Sequence, residues 1–180
     1  MKKKDDEQLM VLVRSGELNA LSPLFDKYHL RLYNFFLRLT KNQSISEDLV
    51  QSVFRRILTY RKTYNEQHKF RSWMYQIARN VHANYYRDNK LVISDFSEPE
   101  KIEYETDSAI EEMEKESRKR ILYEAMDGLQ TDQKEIIELS RFQGLKYREI
   151  AEITGLSETA VKVKAHRAIN KLRELYFKLA

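Results

Sequence analysis

Cysteine is absent from the 180-residue chain, which rules out disulfide staples, thiolate nucleophiles and cysteine-type zinc sites. Glycine and proline are scarce, four and two residues, and they build neither a glycine-rich phosphate loop nor a nucleophile elbow. The four histidines, His29, His68, His82 and His166, stand without metal-ligand spacing. No catalytic residue, metal, cofactor or small-molecule substrate is therefore expected, and the chain reads as no enzyme. Long apolar runs are missing as well. None approaches the ~18 residues of a membrane span, and the charged opening Met1 to Glu7 leads into no apolar stretch long enough for a signal peptide. The expectation is a soluble cytoplasmic protein.

What is present is helix-forming and unevenly charged. Hydrophobic residues make up 42% of the chain and charged residues 33%, enough apolar material for small helical cores. The net charge is +4, but residues 1–87 hold 16 Lys and Arg against 8 Asp and Glu. Residues 88–116 hold 3 against 11, and residues 117–180 hold 13 against 9. Two basic blocks around an acidic spacer fit two surfaces that meet a polyanion; two ordinary solvated surfaces on an acidic tether would read the same way.

Apolar residues recur at steps of three and four. Leu21, Leu24, Phe25, Tyr28, Leu32, Phe35, Phe36 and Leu39 form one stripe, with Ser22 and Pro23 near its start. Ser44 and Glu47 stand at capping-box spacing ahead of a second stripe: Leu49, Val50, Val53, Phe54, Ile57 and Leu58. A polar stretch from Lys62 to Lys69 separates it from a third: Phe70, Trp73, Met74, Ile77, Ala78, Val81 and Tyr85. No segment of useful length alternates with period two, so a helix bundle is expected here. From Asp88 to about Ser108 the period is lost, acids accumulate and Pro99 appears, which marks a linker. Helical signal returns near Ala109 and continues through Ile121, Leu122, Ala125 and Leu129. Gly128, Gly144 and Gly155 fall where helices should end. The fold class is all-α: two small helical domains, 1–90 and 113–180, joined by a flexible acidic linker, 91–112.

The most specific motif runs from Tyr147 to Val161. A helix-turn-helix needs a small residue where its helices touch, a residue free to adopt positive φ at the turn, and an apolar anchor under the second helix. Ala151, Gly155 and Val161 supply these at the required spacing. Ser157 is a good N-cap for the second helix, which would bury Val161, Ala165, Ala168, Ile169 and Leu172. Its other face offers Glu158, Thr159, Lys162, Lys164, His166 and Arg167, with the first turn reaching base edges and the cations meeting phosphates. A tight helical hairpin with an ordinary solvated basic face would carry some of these features. Cap, turn, anchor and basic face agree on DNA binding.

The segments Ser46-Glu-Asp-Leu-Val-Gln51-Ser-Val-Phe54 and Phe70-Arg-Ser-Trp73-Met-Tyr-Gln-Ile77-Ala-Arg-Asn80 resemble region 2 of the extracytoplasmic-function (ECF) sigma factors. Leu129 through Leu175 resembles their region 4, with both domains in the family's order. The resemblance implies that the chain binds core RNA polymerase, with Asp48 and Gln51 on the clamp helices of its largest subunit. A simpler role for Asp48 is to favour the positive end of its helix. The resemblance also implies capture of −10 promoter bases as the duplex opens. Lys62, Tyr64, Lys69, Arg71, Arg79, Asn80, Asn84 and Arg87 supply suitable cations, amides and a π-face. Trp73 offers a ring on which a base could stack, but it falls within the apolar stripe and is read as core. Region 4 would bind the −35 duplex, and an anti-sigma factor is the further partner implied. The family often has Leu-Pro before its first region 4 helix; here Leu129-Gln-Thr-Asp lacks proline, leaving Thr131 or Asp132 to cap. Lys146 is an unusual start for the helix that follows, and the family often carries Asp near Asn84. A stand-alone helix-turn-helix regulator is the alternative; it would bind palindromic sites tightly without polymerase.

Overall fold

A computed structural model describes residues 4–89 and 111–180, with only the backbone described for 111–114. Every regular element among these residues is helical. The α-helices are α1 (Asp6–Ser15), α2 (Leu21–Thr40), α3 (Gln43–Tyr60), α4 (Phe70–Asp88), α5 (Glu111–Asp127), α6 (Thr131–Ile137), α7 (Tyr147–Thr154) and α8 (Glu158–Leu179). Single 3₁₀ turns occupy Leu18–Ala20 and Arg61–Thr63, and a π-helical stretch, Glu138–Phe142, continues α6. The chain divides into two compact units, one built on α1 to α4 and the other on α5 to α8. The expected acidic linker lies outside the described residues except for its last two, which open the described part of α5.

In the amino-terminal unit the apolar stripes converge as their spacing predicts. Leu24, Leu32, Phe35 and Phe36 from α2, Val53 and Ile57 from α3, and Phe70, Met74 and Ala78 from α4 are fully buried. Each large side chain among them contributes roughly 1.5–3 kcal/mol by leaving water. Burial departs from the sequence pattern at several positions. Leu37 is buried where Leu39 is only half-buried, Tyr75 is buried where Tyr85 is not, and Phe25 is exposed. The Tyr75 ring packs edge-on against Phe35 at 5.6 Å, and Phe25 lies on the rim against Phe54 at 4.8 Å. The core wraps further round α2 and α4 than a single stripe would allow.

The α2–α3 turn is latched differently from the expected capping box at Ser44. α3 begins two residues earlier, at Gln43, and the Asn42 side chain accepts the Ile45 N–H at 2.9 Å. Buried Ser46 donates to the Asn42 carbonyl at 2.6 Å and lies 2.9 Å from the Thr40 hydroxyl. Asn42 wins because Lys41 turns left-handed (φ 56°) and closes α2 with an N–H to Leu37 O bond of 2.8 Å, which leaves Asn42 extended at the capping position.

α1, which no sequence motif marked, docks on this bundle. Met10 and Val13 are fully buried, and the Asp6 carboxylate accepts from the Tyr28 hydroxyl and from Lys27 Nζ at 2.7 Å. Burial and Asp6 together push the Tyr28 hydroxyl far above its ordinary pKa.

In the carboxy-terminal unit Met126, Leu129, Ile137 and Ala168 form a core that Tyr123, Phe142, Leu172 and Leu175 cover. Gly128 has a packing reason beyond ending α5: a Cβ there would come 2.9 Å from Leu175 Cδ1. Neither Thr131 nor Asp132 caps α6. Gln130 stands at the N-cap, and its N–H donates to the Gln133 side chain at 3.2 Å. Asp132 is instead drawn to Lys164 of α8, 2.9 Å away.

Candidate nucleic-acid interface

The helix-turn-helix forms as its residues require. α7 ends at Gly155, which is left-handed (φ 73°) with its N–H on Ala151 O at 2.9 Å. The Ser157 hydroxyl then accepts the Ala160 N–H at 3.1 Å and starts α8. The atypical start of α7 is solved from inside the helix: the Lys146 N–H donates to the Glu149 carboxylate at 2.8 Å. Val161, Ala165 and Ala168 are fully buried and anchor α8, while Ile169 and Leu172 are half-buried. Ala151 is itself half-buried. The deepest residues of α7 are Ile150 and Ile153, the apolar pair that flanks it.

Opposite that anchor, Thr159, Val163, His166, Arg167 and Asn170 lie exposed on α8. Val163, 44% exposed, went unnoticed in the sequence because an isolated valine reads as core; it gives the face an apolar centre of the kind that meets thymine methyl groups. Glu158 and Lys162 pair across one turn at 2.9 Å, both well exposed. Such a pair is worth only about 0.3–0.5 kcal/mol, so a phosphate can displace Glu158 from Lys162. Lys164 sits on the flank, not the outer face. Its bond to Asp132 ties α8 to α6 and holds the Asp132 carboxyl below its ordinary pKa.

The candidates in the amino-terminal unit fall on two surfaces. Asp48 and Gln51 are exposed three residues apart on one side of α3, pointing away from Leu49, Val50 and Val53. Asp48 is beyond the first turn of that helix, where the dipole effect fades, so helix-end stabilisation does not account for it. Along α4, Asn80 and Arg87 are exposed and Asn84 half-buried, in line with half-buried Trp73. Gln76, one turn before Asn80 and also exposed, belongs to this line; its amide made it findable. Trp73 lies between the two roles weighed for it, packed on Tyr64 at 5.2 Å and on Phe70 at 6.4 Å. Arg79 and Arg71 are half-buried and lie round the helix from Asn80, by about 100° and about 180° respectively, so they stand off the line.

In the loop, Lys62 and Lys69 are exposed but Tyr64 is 2% exposed. The base-stacking role expected of Tyr64 does not fit this packing. Its ring is covered by Trp73 and Phe70, and its hydroxyl donates to the His68 carbonyl at 3.0 Å. Burial first, and then the charge of Glu7, raise that hydroxyl well above its ordinary pKa. Among the described residues no cluster of three or more His, Asp or Glu is placed to hold a metal, and no helix is long and apolar enough to cross a membrane.

A helical bundle joined in one chain to a helix-turn-helix unit defines a class of DNA-binding protein. Comparison with known proteins identifies the family. Residues 24–92 match the family described as Sigma-70 region 2, and residues 119–172 match Sigma-70, region 4. The sequence is 31% identical over 157 residues to the RNA polymerase sigma factor SigZ of Bacillus subtilis, covering 86% of each chain. It is 28% identical over 156 residues to the ECF RNA polymerase sigma factor SigX of the same organism, covering 84% of this chain and 80% of SigX. In fold it is similar to the sigma factor RpoE from Bartonella quintana, solved with the anti-sigma factor NepR. The TM-score is 0.70 at 22% identity, over 86% of this chain and 95% of that one. The chain belongs to the ECF sigma factors of the sigma-70 family, which are transcription initiation factors.

Proposed function

We propose that the chain binds core RNA polymerase through the Asp48–Gln51 side of α3 and directs it to promoters with two DNA-contacting domains. Residues 113–180 hold the −35 duplex, with Ser157, Glu158, Thr159, Lys162 and Arg167 at the major groove. Residues 1–90 hold the unpaired −10 strand against Asn80, Asn84, Arg87 and the loop cations Lys62 and Lys69. Residues 91–112 connect the two domains in sequence. The mechanism is positional: the protein supplies contacts and the polymerase supplies the chemistry, so the factor itself is no enzyme and works in the cytoplasm. One observation carries this reading. A single chain holds both family regions in order, and its bundle exposes Asp48 and Gln51 on the face opposite the core.

An anti-sigma factor is the second protein partner in this reading, supported by the fold shared with an RpoE solved in such a complex. Run-off transcription tests the function: core polymerase with the purified protein initiates at discrete promoters that core alone does not use. Equal transcription with and without the protein would refute it. Tight, specific binding of a palindromic duplex by the protein alone would instead favour a stand-alone regulator.

A further inference from the structure

The loop between α3 and α4 is held by a helix that lies about fifty to sixty residues away in sequence. α4 has no side-chain cap of its own at Lys69. The first N–H of the helix, on Phe70, is taken by Glu7 Oε1 at 3.0 Å. A carboxylate there satisfies an otherwise orphaned donor and sits at the positive end of the helix dipole. At the loop's other end Arg14 Nη1 donates to the Tyr64 carbonyl at 3.0 Å, while its Nη2 lies 3.7 Å from Glu66. Glu7 and Arg14 are seven residues apart, two turns of α1, so they project from one face at a separation of about 10 Å along the helix. Between these clamps the Tyr64 hydroxyl braces the His68 carbonyl from inside. The side chains of residues 65 to 69 remain exposed on the outside.

α1 can act as a rigid splint because it is fixed independently. Its N-terminus is closed by a reciprocal Asp5–Gln8 capping box, at 2.8 and 3.2 Å. Asp6 is tied to α2, and Met10 and Val13 are fully buried. We propose that Glu7 and Arg14 are positioning residues that hold the 64–70 loop open in one conformation, ready to take an unpaired promoter base. The inference rests on the proposed −10 role of this loop. It assigns the loop's shape to α1, which carries neither of the DNA-contacting surfaces described above. A pre-shaped loop binds without the ordering cost that a mobile one incurs.

The test compares Glu7→Ala, Glu7→Gln, Arg14→Ala and Arg14→Lys in the full chain, each checked for thermal unfolding. Amide hydrogen exchange over residues 64–70 reports the splint. Affinity of the reconstituted holoenzyme for a mapped promoter with its −10 segment held open by mismatches reports the loop's task. The alanine variants should exchange faster in the loop and bind the open template roughly three- to tenfold more weakly, the size of one lost hydrogen bond. Core-polymerase affinity and binding of a −35 duplex should hold, and the Gln and Lys variants should recover part of the loss. Unchanged exchange in both alanine variants would overturn the splint itself. Faster exchange at constant open-template affinity would also overturn the proposal, by showing a braced loop that captures no base.

Discussion

Asn42 and Gly155 each hold one sharp reversal of the chain, by different means. Asn42 closes α3 with a side-chain bond, and Ser44 makes no capping bond there. Replacing Asn42 with alanine should therefore cost about 1 kcal/mol, the usual value of an N-cap, while Ser44→Ala should be nearly neutral; urea unfolding of the two variants distinguishes them. Equal effects would return the cap to Ser44. Gly155 closes α7 through its backbone, and an added Cβ would meet nothing within 4 Å. Gly155→Ala should thus lose only the left-handed penalty, about 1–2 kcal/mol, with the midpoint lowered and the denaturant slope unchanged.

α8 divides its cations between two tasks. Lys162 and Arg167 face outward, and Lys164 holds α6. Neutralising Lys162 or Arg167 should each lower the slope of log affinity against log salt by about 1 for a −35 duplex. An unchanged slope would remove that residue from the phosphate track. Lys164→Ala should act chiefly on stability. Asp132 has a lowered pKa in the folded state, so its contribution is complete above the ordinary carboxylate value and fades as pH falls through the lowered one. The pair is exposed and worth less than about 1 kcal/mol. Wild type should therefore lose a small advantage over Lys164→Ala below about pH 4, measurable as converging unfolding midpoints.

For the whole molecule the separable quantities are core binding and DNA binding. Asp48 and Gln51 lie on α3, in a different unit from the helix-turn-helix. Asp48→Ala combined with Gln51→Ala should weaken core-polymerase binding at least tenfold, the scale of two interfacial polar contacts, and leave binding of a −35 duplex unchanged. Pull-down and gel-shift on the same preparation decide it. Loss of both activities would point to unfolding, and loss of neither would move the polymerase contact elsewhere.

Features that depend on residues close in sequence were legible without coordinates. The apolar steps of α2, α3 and α4 gave three helices, and Gly155, Ser157 and Val161 gave the turn, cap and anchor of the helix-turn-helix. Helix periodicity and capping act within one or two turns, so the chain displays them directly. What folding alone decided are contacts that no helical or capping step links. Tyr64 reads as an exposed aromatic in a polar loop until Trp73 and Phe70 enclose it. Lys164 reads as an unpaired cation until α6 brings Asp132 within 2.9 Å. Glu7 reads as one more surface acid until α1 docks and sets it on the Phe70 N–H, a partner 63 residues away. No local pattern encodes such pairings, because they arise only when separate helices bury their apolar faces together.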